Sequence, residues 1–248
     1  MTPIPLPVSL TIVIPCYNEA ARIDLLYEGM AAFLAACEGT VTLIIVDDGS
    51  TDDTGYLLAR HRVYDTYKHL IRLLTQPNKG KGAALQQGVQ AATGEYVLTL
   101  DADMATSPLD LLDWLHSWGG TIAPGTVFIG SREHPRSVLK HAGNRKFIGH
   151  VFNRIIRLLT PLQLNDTQCG FKLYPALAAK KHFHTLQTPG WAHDVELLYK
   201  MQEDGLRIVE MPITWSAVPG SKIRVLRDGW RMLVETIHIV MRQRRGKP

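Results

Sequence analysis

The chain has 248 residues, of which 46% are hydrophobic and 20% are charged, and its formal net charge is +4. This ordinary globular composition excludes collagen, a coiled coil and wholesale disorder, and a chain of this length can bury a full core without disulfides. Three cysteines, Cys16, Cys37 and Cys169, cannot form a complete disulfide set, so we expect free thiols and a reducing compartment. No apolar run approaches the ~20 residues that span a bilayer. The N-terminus also lacks the basic region of a signal peptide, so we expect a soluble or peripheral protein.

The first half of the chain alternates strand and helix patterns. Short apolar runs predict strands over residues 10–15, 41–46, 70–75 and 96–100, and capped or amphipathic segments predict helices over 19–37, 51–60 and 82–92. This alternation is typical of an α/β fold with a mostly parallel central sheet. In such sheets ligands bind at the carboxyl ends of the strands.

The second half continues the pattern less clearly. We predict strands over 127–129 and 207–212, and helices over 147–159, 194–204 and 228–242. The basic segment 133–146 has no clear period and is predicted to be a loop. No linker interrupts the chain, so we divide it into one catalytic domain, 1–225, and a C-terminal appendage, 226–248.

That appendage carries most of the positive charge. From residue 222 onward, eight lysines and arginines stand against two acidic residues. The helix 228–242 is amphipathic, with an apolar stripe of Trp230, Leu233, Val234, Ile237, Val240 and Met241. Such a helix packs on its own core or lies at a membrane surface, and the basic end indicates either an anionic partner or a solvated tail.

The strongest chemical signal is Asp101-Ala102-Asp103, directly after the predicted strand 96–100. Two carboxylates at i and i+2 can converge on one divalent cation, which prefers oxygen ligands and bound phosphate. An acidic turn without a ligand is the alternative, because short motifs match often by chance.

Two further strand ends carry polar residues. The acidic run 47–52 follows the strand 41–46, where one carboxylate could bind a ribose or a base and another could cap the next helix. The segment 78–82, Asn-Lys-Gly-Lys-Gly, precedes a helix and offers Lys81 as a phosphate ligand. Its spacing fits neither a Walker A loop nor a dinucleotide fingerprint, since Leu85 stands where the third glycine would be.

Together these segments resemble family-2 glycosyltransferases of the GT-A fold. The shared order is strand-IPCYNE, strand-VDDGSTD, NKGKGAAL and strand-DAD over residues 11–103. In the second half DTQCGFKLY (166–174), WAHDVELLY (191–199) and PGSKI (219–223) look like dolichyl-phosphate β-glucosyltransferases and related polyprenyl-phosphate glycosyltransferases. The resemblance implies an inverting transfer of a sugar, glucose from UDP-glucose in the favoured case, to a polyprenyl phosphate.

The resemblance also implies site residues. Asp101 and Asp103 would bind Mg²⁺ or Mn²⁺ and, with Ala102, the diphosphate. Arg132 and Arg145 would approach the donor and acceptor phosphates, and Lys222 would close over the diphosphate. The nucleoside would be held by a set at the first two strand ends: Pro15, Tyr17, Glu19, Val46 and Asp48. Ala105 stands where mannose synthases have a glutamine metal ligand, which favours the glucosyl branch.

The acceptor decides whether a base is needed. A phosphate acceptor is already anionic near pH 7, whereas a sugar hydroxyl needs a carboxylate within hydrogen-bond reach. Asp194 occupies the place of that acid in hydroxyl-using relatives, so it is a catalytic base in one hypothesis and an acceptor-site or structural residue in the other. Transfer to a hydroxyl, GDP-mannose as donor, and nucleotide-sugar binding without transfer remain the alternatives. A nucleotidyltransferase would need a glycine-rich loop, which PCYNEA lacks.

The resemblance further implies a cytoplasmic enzyme, peripheral at the inner face of a membrane, that uses a lipid rather than a nucleic acid as partner. The helices 147–159 and 228–242 are predicted to form the surface that meets the lipid.

Overall fold

The computed structural model describes residues 3–140, 153–218 and 225–245, with the side chains of the last segment described over 229–244. Its strands are β1 (Ile4–Pro5), β2 (Leu10–Cys16), β3 (Cys37–Glu38), β4 (Val41–Asp47), β5 (Ile71–Thr75), β6 (Tyr96–Thr99), β7 (Thr126–Gly130), β8 (Val138–Lys140), β9 (Lys172–Pro175), β10 (Arg207–Met211) and β11 (Thr214–Ser216). Its helices are α1 (Ile23–Ala36), α2 (Thr54–Arg60), α3 (Arg62–Tyr67), α4 (Lys81–Gln90), α5 (Asp110–Ser117), α6 (helical over 153–159), α7 (Ala176–His184), α8 (His193–Glu203) and α9 (Val225–Arg245).

Seven of these strands form one sheet in the order β10-β7-β9-β6-β2-β4-β5. All neighbours are parallel except the pairs that β9 makes with β6 and β7. β8 and β11 pair separately in parallel, as do β1 and β3. The mostly parallel α/β architecture predicted from the sequence is confirmed.

Both faces of the sheet are apolar, because successive residues of a strand point to opposite sides and helices cover both. In β4, Leu43 and Ile45 join one core, whereas Ile44 and Val46 join the other. The first core lies under α1, α2, α3 and α5, and the second under α4, α6, α7, α8 and α9. α4 approaches β2 so closely that a Cβ on Gly88 would lie 2.4 Å from Cγ1 of Val13.

The residues predicted to form the site follow strands that end at one edge of the sheet. The carboxyl ends of β2, β4, β6 and β7 meet there, at Cys16, Asp47, Thr99 and Gly130. Because β9 runs antiparallel, it brings its first residue, Lys172, to the same edge, opposite Thr99 and Ile129. The edge therefore combines residues from both halves of the chain.

Several predicted elements are shifted or incomplete. The helix predicted over 19–37 is a short 3₁₀ turn, Ala20–Arg22, followed by α1. The loop prediction for 133–146 is wrong at 138–140, where β8 pairs with β11, a partner more than seventy residues away that local composition does not reveal. The helix predicted over 147–159 is observed at 153–159, and its earlier part lies outside the described residues.

The C-terminal helix packs on the body, in a different register from the predicted stripe. Thr236, Ile239 and Val240 are buried, whereas Trp230, Ile237 and Met241 are exposed. Arg242 explains the register, since its guanidinium donates hydrogen bonds to the side chains of Gln187 and Thr188. The predicted boundary between a catalytic domain, 1–225, and an appendage, 226–248, lies at the start of α9, and this division stays a prediction.

Within the described ranges, no helix combines the length and the apolar character needed to cross a bilayer. The three cysteines are all free thiols, as the sequence predicted.

Candidate active site

Asp101 is an accessible acid at the sheet edge. It follows β6, its side chain is 40% exposed, and its Oδ1 lies 2.6 Å from Nζ of Lys81. Lys81 is the first residue of α4, and its ammonium also lies 5.6 Å from the ring centre of Trp191. Burial alone would lower the pKa of Lys81, but Asp101 and Asp194 raise it, so the side chain is a cation at neutral pH.

Asp103 completes the acidic turn. Its Oδ1 accepts a hydrogen bond from the N–H of Ala105 at 3.0 Å. Met104 between them has a φ of 52°, a left-handed conformation that is uncommon for a residue with a side chain. The pKa of Asp103 is raised, first because the carboxyl is buried and then because Asp101 repels its charge.

The acidic turn fits a divalent cation. Burial and the charge of Asp101 both disfavour the ionised form of Asp103, and a bound cation would offset both effects. Among the described residues, no three His, Cys, Asp or Glu side chains are grouped closely enough to hold a metal. Asp101 and Asp103 stay the predicted ligands, and a hard cation held by two carboxylates would complete its coordination with diphosphate or water oxygens.

Asp48 is buried and organises the chain that leads to Lys81. Its carboxylate accepts hydrogen bonds from the Gln76 side chain at 2.6 Å, the Lys79 N–H at 2.9 Å and the Gly80 N–H at 2.8 Å. Gly80 has a φ of +101°, and a Cβ there would lie 2.8 Å from the carbonyl oxygen of Pro189. Whatever else Asp48 contacts, it fixes the turn that begins α4.

The amino end of α4 binds protein rather than presenting free donors. The Gly82 N–H donates to the Pro189 carbonyl at 2.8 Å. That N–H is therefore already bonded within the protein, and the predicted phosphate contact of Lys81 stays a prediction. Lys79 is exposed, and only the Lys81 side chain reaches the acidic turn.

The nucleoside set lies around the ends of β2 and β4. Tyr17 is 39% exposed, and Glu19 pairs with Arg22 at 2.8 Å. Asn18 has a φ of 53°, and its backbone N–H and side chain bind Ser50 and Thr51. Two of the predicted contacts are less accessible. Pro15 is half-buried, and Val46 is completely buried, so its side chain touches no ligand in this conformation.

Arg132 follows β7 and is held by an acid that the sequence reasoning did not select. Its Nε and Nη2 donate to the two oxygens of Asp166 at 2.7 and 2.8 Å, and its N–H donates to Oδ2 at 3.0 Å. Asp166 is 1% exposed. Burial alone would raise the pKa of Asp166, but Arg132 brings it below its usual range. The guanidinium keeps one face over Trp215, 5.9 Å from the ring centre.

Asp194, the candidate base, is also paired. Its Oδ1 accepts a hydrogen bond from Nζ of Lys172 at 2.6 Å, and neither side chain is more than 6% exposed. Burial alone would raise the pKa of Asp194, but its neighbours His193, Lys172 and Lys81 lower it. Lys172 also donates to the carbonyl of Cys169.

A small pocket joins these groups. Its walls include Asp101, Arg132, Gly170 and Trp215. A Cβ on Gly170 would lie 2.4–2.5 Å from three atoms of the Asp101 carboxyl group, so only glycine allows the carboxylate to lie there. Ala102, predicted to contact the diphosphate, is 6% exposed and packs into the first core, which leaves its main chain for that contact.

Two predicted site residues, Arg145 and Lys222, lie outside the described residues. The residues that the sequence reasoning missed are Arg22, Asp166, Gly170, Lys172 and Trp191. Three of them fall in the polar stretch 166–172, whose charged and small residues ahead of apolar sequence were the available signal.

The sequence comparisons identify the family. The family model described as "Glycosyl transferase family 2" matches residues 11–183. The chain belongs to glycosyl transferase family 2. It is 34% identical to a dolichyl-phosphate beta-glucosyltransferase of Trichomonas vaginalis, over 98% of this chain and 74% of that protein. It is 33% identical to the dolichyl-phosphate beta-glucosyltransferase of Saccharomyces cerevisiae, over 94% of this chain and 74% of that protein.

Solved structures share the fold of this family-2 glycosyltransferase. Glucosyl-3-phosphoglycerate synthase from Mycobacterium tuberculosis, in complex with Mn²⁺, UDP-glucose and phosphoglyceric acid, superposes with a TM-score of 0.65 at 20% identity, covering 94% of this chain and 80% of that one. A mannosyltransferase from Pyrobaculum calidifontis, in complex with GDP-mannose and Mn²⁺, gives 0.66 at 21% identity, covering 97% and 67%. The GT-A-like fold is therefore confirmed.

Proposed function

We propose that this enzyme transfers glucose from UDP-glucose to a polyprenyl phosphate of the dolichyl type, with inversion at the sugar carbon. The observation that carries the proposal is the accessible Asp101 carboxylate, held between Lys81 and Gly170 at the strand-end edge. The names of the relatives supply the acceptor and the sugar. UDP is favoured over GDP because Ala105 replaces the glutamine typical of mannose synthases, which leaves GDP-mannose as the alternative donor.

The donor would lie along the first three strand ends. Tyr17 and Glu19 would contact the nucleoside, and the diphosphate would reach Asp101, Asp103 and Lys81. A Mg²⁺ or Mn²⁺ ion held by Asp101 and Asp103 would neutralise the departing diphosphate. Lys81 adds a positive charge at the same place, 5.6 Å from the ring centre of Trp191.

The acceptor phosphate would approach from the Arg132 side. Arg132 is oriented by Asp166 and exposes 30% of its side chain toward solvent. A phosphate monoester carries its own negative charge near pH 7 and needs no base. The oxygen of that phosphate would form the new bond to the sugar carbon as the bond to UDP breaks, and the charge would pass to UDP.

The outer face of α9 would meet the membrane. Trp230, Ile237 and Met241 are 69%, 40% and 47% exposed and lie on one face of the helix. Arg231 and Arg244 are exposed on the same helix. An apolar stripe with basic neighbours suits the interface of an anionic membrane, where each basic residue contributes about 1 kcal/mol.

Transfer itself is tested with UDP-glucose, farnesyl phosphate and either metal ion, against GDP-mannose. We expect metal-dependent glucosyl transfer that falls at least 100-fold in Asp101→Asn and Asp103→Asn, because each isosteric amide removes one ligand charge. Asp65→Asn, an exposed acid on α3, is the matched control. Equal transfer in all four proteins, or transfer from GDP-mannose alone, would reject the assignment.

Membrane contact is tested separately by co-sedimentation with anionic and neutral vesicles at low and high salt. We expect salt-sensitive binding to anionic vesicles that is weakened by Trp230→Gln with Ile237→Gln. Leu177→Gln on α7 is the control, since Leu177 is 87% exposed on another helix. Failure of the unsubstituted enzyme to bind at low salt would exclude this surface.

A further inference from the structure

The buried ion pair between Lys172 and Asp194 has no counterpart in the proposed chemistry. Lys172 has no exposed surface, although lysine is among the residues least often fully buried. A buried lysine persists only when its ammonium is paired and hydrogen-bonded. Here both conditions hold, because Nζ donates to Asp194 and to the Cys169 carbonyl.

The pair belongs to a chain of alternating charges that ends at the candidate metal site. Asp101 contacts Lys81, and the charge of Lys81 acts on Asp194 as well as on Asp101. Asp194 contacts Lys172. The Lys172 ammonium also holds the Cys169 carbonyl, next to Gly170, on which the Asp101 carboxyl packs. Lys172 therefore supports the position of Asp101 through the backbone of Cys169 and Gly170.

The ion pair also engages Asp194 itself, which is the carboxylate that could act as a base. A general base needs an oxygen that a substrate proton can reach and a pKa close to the working pH. Oδ1 of Asp194 is taken by Lys172, and the residue is 4% exposed. The groups that face it are Lys172 and Tyr174 from β9, Lys81 from α4, and His193 beside it on α8. Two of these four are ammonium groups that hold Asp194 as an anion.

We propose that Lys172 is a positioning residue that holds Asp194 in an ion pair at the wall of the site. Asp194 then cannot act as a base, which restricts the enzyme to acceptors that arrive as anions. The inference rests on the proposed glucosyl transfer and adds the reason for its acceptor class. A hydroxyl acceptor has to lose a proton as its oxygen bonds to the sugar carbon. With Oδ1 of Asp194 bound to Lys172, and with Asp101 and Asp103 assigned to the metal in the proposed function, we expect no other carboxylate among the described residues of the site to take that proton.

The test compares two acceptors that differ only at the reacting end, farnesyl phosphate and farnesol, in the Lys172→Met variant. Methionine keeps the length and removes the charge. We expect the unsubstituted enzyme to prefer farnesyl phosphate at least 100-fold. In Lys172→Met we expect slower transfer to the phosphate and a farnesol-to-phosphate rate ratio at least tenfold higher.

The pH profile distinguishes positioning from loss of structure. Hydrolysis of UDP-glucose needs no acceptor, so it reports on Asp194 even if transfer to the lipid fails. In Lys172→Met, Asp194 loses the ammonium that binds its Oδ1 and can take the proton from water as the water oxygen bonds to the sugar carbon and UDP leaves. We expect hydrolysis to rise with pH between 5 and 8 in this variant, and the rise to vanish when Asp194→Asn is added. Lys172→Arg should restore the original ratio and profile.

Asp194→Asn alone keeps the test decisive if Lys172→Met does not fold. We expect transfer to farnesyl phosphate to fall about tenfold, by the same factor at every pH from 5.5 to 8. A loss above 1,000-fold that follows pH would make Asp194 the base and overturn the inference. An unchanged acceptor ratio in folded Lys172→Met would overturn it as well. Absence of transfer to either acceptor by the unsubstituted enzyme would reject the proposed function. The pH profiles of hydrolysis would still test whether Lys172 keeps Asp194 from acting as a base.

Discussion

The accessible Asp101 and the buried charges on the opposite side of the strand-end edge are held in opposite ways. On the donor side, Asp101 is 40% exposed and pairs with a single lysine. On the other side, Asp166 and Lys172 are almost completely buried, and each is bound by two or more groups of the protein. Charges that remain accessible can exchange a protein partner for a ligand. Charges that are buried and fully paired act as part of the framework.

This contrast separates the residues expected to bind from those expected to position. Breaking a buried pair by removing one partner leaves an uncompensated charge, which is costly. Removing an exposed carboxylate costs little stability. Substitution of Asp101 should therefore cost activity, and substitution of the buried Asp166 or Lys172 should cost stability.

The largest effect is expected at Asp166. Replacing it with alanine leaves the Arg132 guanidinium without its bidentate partner, so we expect the free energy of unfolding to fall by about 3–5 kcal/mol. Asp101→Asn should change it by less than about 1 kcal/mol while abolishing transfer. Chemical denaturation measures both. Similar losses in the two variants would remove the distinction between the sides, and Arg132→Met with Asp166→Leu should recover most of the loss.

Gly170 lies where the two sides touch. An added Cβ pushes on the Asp101 carboxyl group, which is exposed enough to move aside without disturbing the core. For Gly170→Ala we expect UDP affinity with Mn²⁺ to fall about 10–100-fold, which is about 1.4–2.7 kcal/mol, with little change in Tm. Calorimetric titration provides the measurement. Gly229→Ala, where a Cβ meets no neighbour, should bind UDP normally.

Asp110 is a buried carboxylate that forms no ion pair with a cation among the described residues. Burial raises its pKa to about 6, although its Oδ2 accepts the Thr214 N–H at 2.9 Å. The folded pKa lies above the unfolded value of 3.8, so the ionised acid destabilises the fold above about pH 6, and this penalty fades as the pH falls toward 4.

Asp110→Asn should therefore stabilise the protein by about 1 kcal/mol at pH 8. The gain is smaller than the pKa shift alone implies, because the neutral amide makes a weaker bond to Thr214. Thermal unfolding at pH 8 and pH 4.5 measures the difference, which should disappear at the lower pH. A constant difference across this range would contradict the assigned titration.

The donor side was largely predictable from the sequence. Asp48 and Asp101 each follow an apolar run, and parallel strands bring their carboxyl ends to one edge. Local patterns therefore place these acids together without knowledge of the strand order. The same reasoning did not show that the Asp48 carboxylate accepts hydrogen bonds from the backbone of the turn before Lys81. Every residue type except proline has a backbone N–H, so composition does not indicate which of them donate.

The opposite side was not predictable in detail. β9 has four residues and begins with a lysine, so its apolar pattern is too short to predict a strand, and its antiparallel direction has no local signal. The pairs Arg132–Asp166 and Lys172–Asp194 join residues 34 and 22 positions apart on different elements. Only the packing of those elements shows which charge neutralises which.

The segment 187–192 has a consequence for thermodynamic linkage. α9 holds it through Glu235 and Arg242, and its Pro189 carbonyl binds the Gly82 N–H beside Lys81. Residues 187–192 therefore contact both α9 and the end of the site that is proposed to bind the nucleotide. Linkage is reciprocal, so if a surface bound to α9 changes nucleotide affinity, nucleotide changes the affinity for that surface by the same factor. Binding to a surface and binding of the donor would then be two equilibria coupled by one free energy.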